Sequence, residues 1–386
     1  MCKQKRFSLC LFLALIQFAT AQDYKAKVQL SIWTDTLQYP ELSPLVNLYI
    51  NYIESHPDSI YDNPYWNSEE KRKYEDFDIS RNSIFQGGQG AWTANRFFNF
   101  FTAHILSIEK RDSLYKIKVM YYRTEKDQNN EKYQRFNPAQ IQRYYAIKEN
   151  GEWKLANAFN YDLADWHRVE TKYINYNFPR KSLYSEELAK KANRFCDSII
   201  CRFDYPPLEE KIEYYICTGE FEVGEVLGYD YYIYGWALGK TIQNKIISGN
   251  GTVYYPHEFV HFIDDDPEAR GRNISEGFAT WLGGSVGKTY PELAKIFADE
   301  YLANDTANFA FAWTWENKLN KYTLGALIID LVYDDKGDKG VLDFMEMPSK
   351  TSEETQNSIQ ELCGWSSKKF NHKWNQKLGE FASKHK

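Results

Sequence analysis

In His257-Glu258-Phe259-Val260-His261 two histidines stand four residues apart. On a helix, positions i and i+4 share a face, so both imidazoles can offer a ring nitrogen to one metal ion. Glu258 projects beside that face, where its carboxylate can hold a water without being a ligand. The flanking residues suit a helix start. Gly249-Asn250-Gly251 is a turn signal, and Thr252-Val253-Tyr254-Tyr255 reads as a short strand. Pro256 fits a first helical position, where its missing N–H has no bond to lose. A catalytic zinc takes three protein ligands and keeps a fourth position open, so two histidines require a third donor. Glu276, in Ile274-Ser275-Glu276-Gly277-Phe278-Ala279-Thr280-Trp281, is the obvious one, and the segment reads as the first turn of a second helix. Asp264, Asp265 and Asp266 lie closer and could supply an aspartate ligand. Their composition reads rather as a solvated acidic loop with one partner to a ligating histidine.

The residues after the motif do not match every zinc-peptidase pattern. A metzincin would continue with a glycine and a third histidine where this chain has Asp264 and Pro267. The two motifs together resemble the gluzincin metallopeptidases, in which H-E-x-x-H is followed by a helix bearing E-G-x-A. That resemblance implies a zinc-dependent hydrolase acting on a peptide or protein. His257, His261 and Glu276 would be the zinc ligands and Glu258 the general base. Two features depart from the thermolysin-like pattern: only fourteen residues separate His261 from Glu276, and Thr280 stands where an acidic residue is usual. Gluzincins commonly place a Tyr or His from a later helix over the metal. The resemblance points to Tyr322, at the head of the apolar run Tyr322 to Val332. With 30 tyrosines in the chain, a core role for Tyr322 is the alternative.

Upstream of the motif, a helix is expected from about Ser185 and a half-buried strand over Lys211 to Thr218. Tyr229 to Tyr234 reads as core. Downstream the chain is helical, with a bend at Gly283-Gly284, an apolar helix closed by Gly337, and an amphipathic helix over Ser366 to Phe381. His104, His167 and His372 read as ordinary packed or surface histidines.

The amino-terminal half has a different pattern. A helix over Pro44 to Ile53 precedes strand-like runs at His104 to Glu109, Leu114 to Arg123, Gln142 to Lys148 and Trp153 to Phe159, the last two joined at Glu149-Asn150-Gly151. This order, with Gly151-Glu152-Trp153-Lys154-Leu155, is similar to the ketosteroid-isomerase-like cone, also called the nuclear transport factor fold. The expected fold class is therefore α+β. A cone-like α+β domain over 22–178 would precede a mainly α-helical gluzincin-like domain with a small β-sheet over 179–386, the join falling near Asn177 to Lys181.

Met1 to Ala21 reads as a secretory signal: Lys3, Lys5 and Arg6, an apolar core from Leu9 to Ile16, and Ala19-Thr20-Ala21 before Gln22. The apolar run is too short to span a bilayer. Export to the periplasm or the extracellular space is expected, with no integral membrane segment after cleavage. The chain holds 47 basic and 53 acidic residues, and losing the signal makes it more acidic still. That balance excludes nucleic acid as an expected partner. Cys196, Cys201, Cys217 and Cys363 contain no C-x-x-C pair for a thiolate zinc site. The competing reading is an exported, non-catalytic binding protein with a vestigial or structural zinc site and a ligand-binding amino-terminal domain. Glu258 separates the two, because a structural site has no use for a base.

Overall fold

The computed structural model describes residues 27–55, 63–73, 101–126, 134–233, 239–242, 244–264, 267, 269–303, 309–314 and 320–383. The expected signal segment lies outside them. The fold is mixed α+β, and the chain divides into two compact units, Met1–Asp165 with Glu220–Ala237 and Trp166–Gly219 with Leu238–Lys386.

In the first unit β1 (Val28–Leu30) pairs in parallel with β2 (Thr102–Arg111). The antiparallel run continues through β3 (Leu114–Lys126), β4 (Gln134–Glu149) and β5 (Glu152–Asn157). Asn150 and Gly151 join β4 to β5 with φ of 52° and 87°, the two positive values of a tight type I′ hairpin. Side chains alternate across the sheet as a period of two demands: Ile117, Val119 and Tyr121 are buried, while Lys116 and Lys118 are on the other face. Against the apolar face lies α1 (Ser43–Glu54), whose Leu45, Tyr49, Tyr52 and Ile53 share a core with Ile105, Val119 and Tyr144. Two short helices, α2 (Ser68–Lys73) and α3 (Phe159–Asp162), complete this first passage.

The chain then enters the second unit with β6 (His167–Glu170), β7 (Ile174–Phe178), α4 (Glu186–Phe203) and β8 (Ile212–Ile216). Ser185 caps α4 by accepting from the Leu188 N–H. The division thus falls at Asp165/Trp166, not near Asn177 to Lys181. The cause is strand pairing: β7 is buried along its whole length, parallel to β8 and antiparallel to β6. Proline 179 marks a turn inside the unit.

A second passage through the first unit carries α5 (Glu220–Val226) and β9 (Tyr229–Tyr232), which adds to β4. The expected aromatic core is only partly that. Tyr229 is buried, whereas Tyr231 and Ile233 are exposed, because the register of β9 against β4 shifts between Tyr229 and Tyr231 and breaks the simple alternation; Tyr234 lies outside the described residues.

Back in the second unit, β10 (Gly239–Ile242) and β11 (Lys245–Ser248) complete a sheet in the order β10-β11-β8-β7-β6, parallel at its centre. Thr252 to Tyr255, expected as a strand, is irregular; the strand is β11, seven residues earlier. Helices follow: α6 (Pro256–Ile263), α7 (Arg272–Gly283), α8 (Tyr290–Leu302), α9 (Phe309–Thr314), α10 (Asn320–Met345), α11 (Ser352–Cys363) and α12 (Ser367–Ser383). Non-helical backbone at Gly337 (φ 65°) breaks α10. The apolar run of α10, from Leu324 to Val332, is buried with Phe259, Phe278, Phe297 and Trp374 in one core. No helix among the described residues is long and apolar enough to cross a membrane.

Candidate metal centre

The paired histidines lie on α6, entered through Pro256 and anchored by Phe259, Val260 and Ile263. The Phe259 ring packs 5.6 Å from that of Tyr214 on β8, which seats the helix on the sheet. Glu276 comes from α7, in its second turn rather than the expected first. Close backbone contact fixes where α7 lies. A Cβ on Gly277 would fall 2.2 Å from the carbonyl carbon of Gly325 on α10, and one on Gly283 would fall 2.6 Å from the His257 nitrogen. Only bare backbone lets α7 touch both α10 and the head of α6 there.

This packing brings His257, His261 and Glu276 together. Nε2 of His257 is 3.3 Å from Oε2 of Glu276 and 3.3 Å from Nε2 of His261, and the His261–Glu276 distance is 3.7 Å. Bonds of about 2.0–2.2 Å in a tetrahedron subtend edges of about 3.3–3.6 Å between ligands. Two edges fall in that range and the third, at 3.7 Å, is slightly longer, so the three atoms are spaced close to such a face.

The chemistry of the donors also fits a cation. Nδ1 of His257 lies 2.8 Å from the Gly284 carbonyl, and a carbonyl can only accept, so this bond assigns the proton to Nδ1. That leaves Nε2 as the atom that would ligate a metal, beside another imidazole nitrogen and a carboxylate. Outer partners of this kind orient a ligating histidine. Burial opposes ionisation of Glu276, but hydrogen bonds and charge from His257 and His261 outweigh it and hold the carboxyl well below its usual range. His261 moves the opposite way. Burial disfavours its cation, yet the bond to Glu276 and the charges of Glu276, Glu258 and Asp264 raise its pKa. Such a negative, lone-pair-rich pocket attracts a proton or a metal ion.

Glu258 stands outside this triad, partly buried, with Oε2 accepting from Thr241 Oγ1 on β10 at 2.7 Å. Tyr322, at the head of α10, sets its ring edge-on 5.9 Å from that of His257. Tyr255, which sequence reasoning placed in a strand, stacks near-parallel on the same imidazole at 6.3 Å. Burial first, then the Glu258 charge, pushes the Tyr255 phenol up to about 12. Nothing in the spacing of the motif marked Tyr255 or Thr241; position before a proline was the one available sign for Tyr255.

Asp264 is no ligand and no solvated loop residue. It is buried, ion-paired with Arg270 and bonded to the Tyr205 hydroxyl at 2.9 Å. Arg270 in turn donates to the Met345 carbonyl, which ties the segment after α6 to the end of α10. Asp265 and Asp266 lie outside the described residues. Tyr333 packs on Trp281 and the Arg202 guanidinium, and His372 is exposed on α12.

No protein-family model matches the chain, and no curated protein shows significant similarity to it.

Proposed function

We propose that the protein is an exported, zinc-dependent hydrolase of peptide bonds, its second unit a gluzincin-type peptidase domain and its first a ketosteroid-isomerase-like cone. One observation carries the reading: three ligand atoms from two helices at tetrahedral-edge spacing, with a non-ligating glutamate next to the first histidine. His257, His261 and Glu276 would hold Zn²⁺, which would supply a water of pKa lowered toward about 7 and polarisation of a carbonyl oxygen.

The chain's own groups do the rest. Glu258 accepts the proton of the attacking water and delivers it to the leaving amine nitrogen. Tyr322, beside His257, donates to the oxygen that becomes negative as the carbonyl carbon turns tetrahedral. Among the described residues β10 pairs only with β11, and the Thr241 side chain of this outer strand reaches Glu258. An extended peptide can add there as a further strand, which sets its scissile bond over the metal face. The cone is supported by a helix packed on one face of a long antiparallel run. Export rests on Met1 to Ala21 alone.

Metal analysis with an unbiased peptide-library digest tests the reading. The wild type should hold one zinc per chain and cleave a subset of peptides. Glu258→Gln should keep the zinc and lose about two to four orders of magnitude in kcat. Equal cleavage by that variant would sink the mechanism; a wild type that binds zinc yet cleaves nothing would favour the binding-protein alternative.

A further inference from the structure

Glu258 is held by the edge strand, and this contact has a consequence for catalysis. The register of the second sheet pairs Thr241 with Ile246, Ile246 with Tyr214, and Tyr214 with Tyr176. Paired residues point to the same face, so these four form one row across the sheet. Ile246, Tyr214 and Tyr176 are fully buried, and Tyr214 lies under Phe259 of α6. Thr241 is the end of that row, where the sheet stops and the space beside α6 opens. Its hydroxyl donates to Oε2 of Glu258.

Gly239, two residues earlier, faces the same way. A Cβ there would sit 3.4 Å from the other oxygen, Oε1, and 3.3 Å from the Tyr255 ring. The edge strand therefore treats the two oxygens differently. It binds Oε2 through a hydroxyl and gives Oε1 clearance. A carboxylate that must reach one proton gains by losing rotational freedom, and a bond to its second oxygen removes that freedom without using the first.

We propose that Thr241 is a positioning residue for Glu258: its hydroxyl fixes Oε2 so that Oε1 alone faces the water. This rests on the hydrolase reading above. The bland explanation of Thr241, a β-branched residue chosen for its strand preference, predicts no need for the hydroxyl.

Thr241→Val keeps the branching and volume and removes only the donor; Thr241→Ser keeps the donor. With zinc-loaded, full-length protein, Thr241→Val should lower kcat about ten- to a hundredfold. KM should change less than about twofold, and zinc content not at all. Thr241→Ser should recover most of the loss. Thr241→Val added to Glu258→Gln should cost nothing further, because both act through one carboxylate. An unchanged kcat, or a loss carried by KM alone, overturns the proposal.

Crystal structures of the zinc-loaded wild type and Thr241→Val supply a readout independent of turnover. One Glu258 orientation in the wild type and a turned or split carboxylate in the variant support the role; an unmoved carboxylate overturns it. If the wild type cleaves no peptide, the hydrolase reading falls, and the two structures alone decide whether Thr241 positions Glu258.

Discussion

Two enclosed glutamates, one in each unit, show how a structural carboxylate differs from a candidate metal ligand. Glu70, on α2 of the first unit, is 3% exposed and accepts from five N–H groups: Trp66 Nε1, Asn67 Nδ2, the Asn157 backbone and side chain, and Asn160 Nδ2. Every one of these is a neutral donor. Glu276 is also largely enclosed, but its neighbours are two imidazole nitrogens, with the exposed Arg272 near its other oxygen at 3.5 Å. The carboxyls shift in opposite directions: burial outweighs the hydrogen bonds and raises Glu70, while the two histidines outweigh burial and lower Glu276. Burial of an acid does not by itself mark a site. The partners do: neutral N–H donors surround Glu70, whereas the atoms around Glu276 belong to groups that can ligate a metal.

The sharpest way to break this contrast is to make the same substitution at both positions. Glu276→Gln removes the proposed anionic ligand while keeping its shape, and zinc affinity should fall more than about a hundredfold, since loss of an outer partner alone costs about 10–100-fold. Glu70→Gln should leave affinity unchanged. Titration with a competing chelator reads both. Tight binding retained by Glu276→Gln would remove Glu276 from the ligand set.

The reverse asymmetry should appear in stability. Glu70→Ala orphans five donors that tie α2 to β5 and the start of α3, and unfolding of the first unit should become easier by about 3 kcal/mol or more. Calorimetry would register this as a lower Tm with zinc content unchanged. The pH dependence carries the sign. The folded state holds the Glu70 proton more tightly than the unfolded chain, so this group favours folding below its unfolded pKa of 4.5. That contribution fades as the pH rises through the higher folded value. Glu70→Gln does not titrate there, so the stability gap between wild type and Glu70→Gln should narrow upward from about pH 4.5. A gap that widened would mean the Glu70 pKa is depressed and the contrast with Glu276 false.

How much of this was legible depended on whether the information was local. The two histidines four apart on a proline-started helix needed only helical geometry, and α6 runs from Pro256 as that pattern requires. The tight hairpin at Asn150-Gly151 was equally local. The strand before the motif was misplaced because β11, a central strand buried along its whole length, lacks alternation and begins with the charged Lys245, whose amine bonds Asn244. The boundary near Pro179 missed the pairing of β7 with β8, which joins residues more than thirty apart. Thr241 was invisible for the same reason. That a four-residue edge strand should bring its hydroxyl to Glu258 depends on register across the sheet, which no spacing in the chain records.

The smallest expected effect concerns the two phenols beside His257, again alike in surroundings and unlike in use. Tyr255 stacks at 25° to the imidazole with ring centres 6.3 Å apart, and its oxygen accepts from the Asn250 side chain. Tyr322 approaches edge-on from the first turn of α10, where the Gly277–Gly325 contact sets the helix beside Glu276. An oxyanion donor must be aimed at charge that develops only during reaction, and Tyr322, at the head of the helix packed against the one bearing Glu276, is the phenol proposed for that role. Tyr322→Phe should lower kcat about tenfold or more, with KM, zinc content and Tm nearly unchanged. Tyr255→Phe should leave kcat within about twofold and lower Tm slightly, as loss of one partly buried hydrogen bond does. A fall in Tm with kcat preserved in Tyr322→Phe would assign that ring to packing against His257. The donor would then have to be sought in Tyr255, whose substitution would carry the kinetic loss instead.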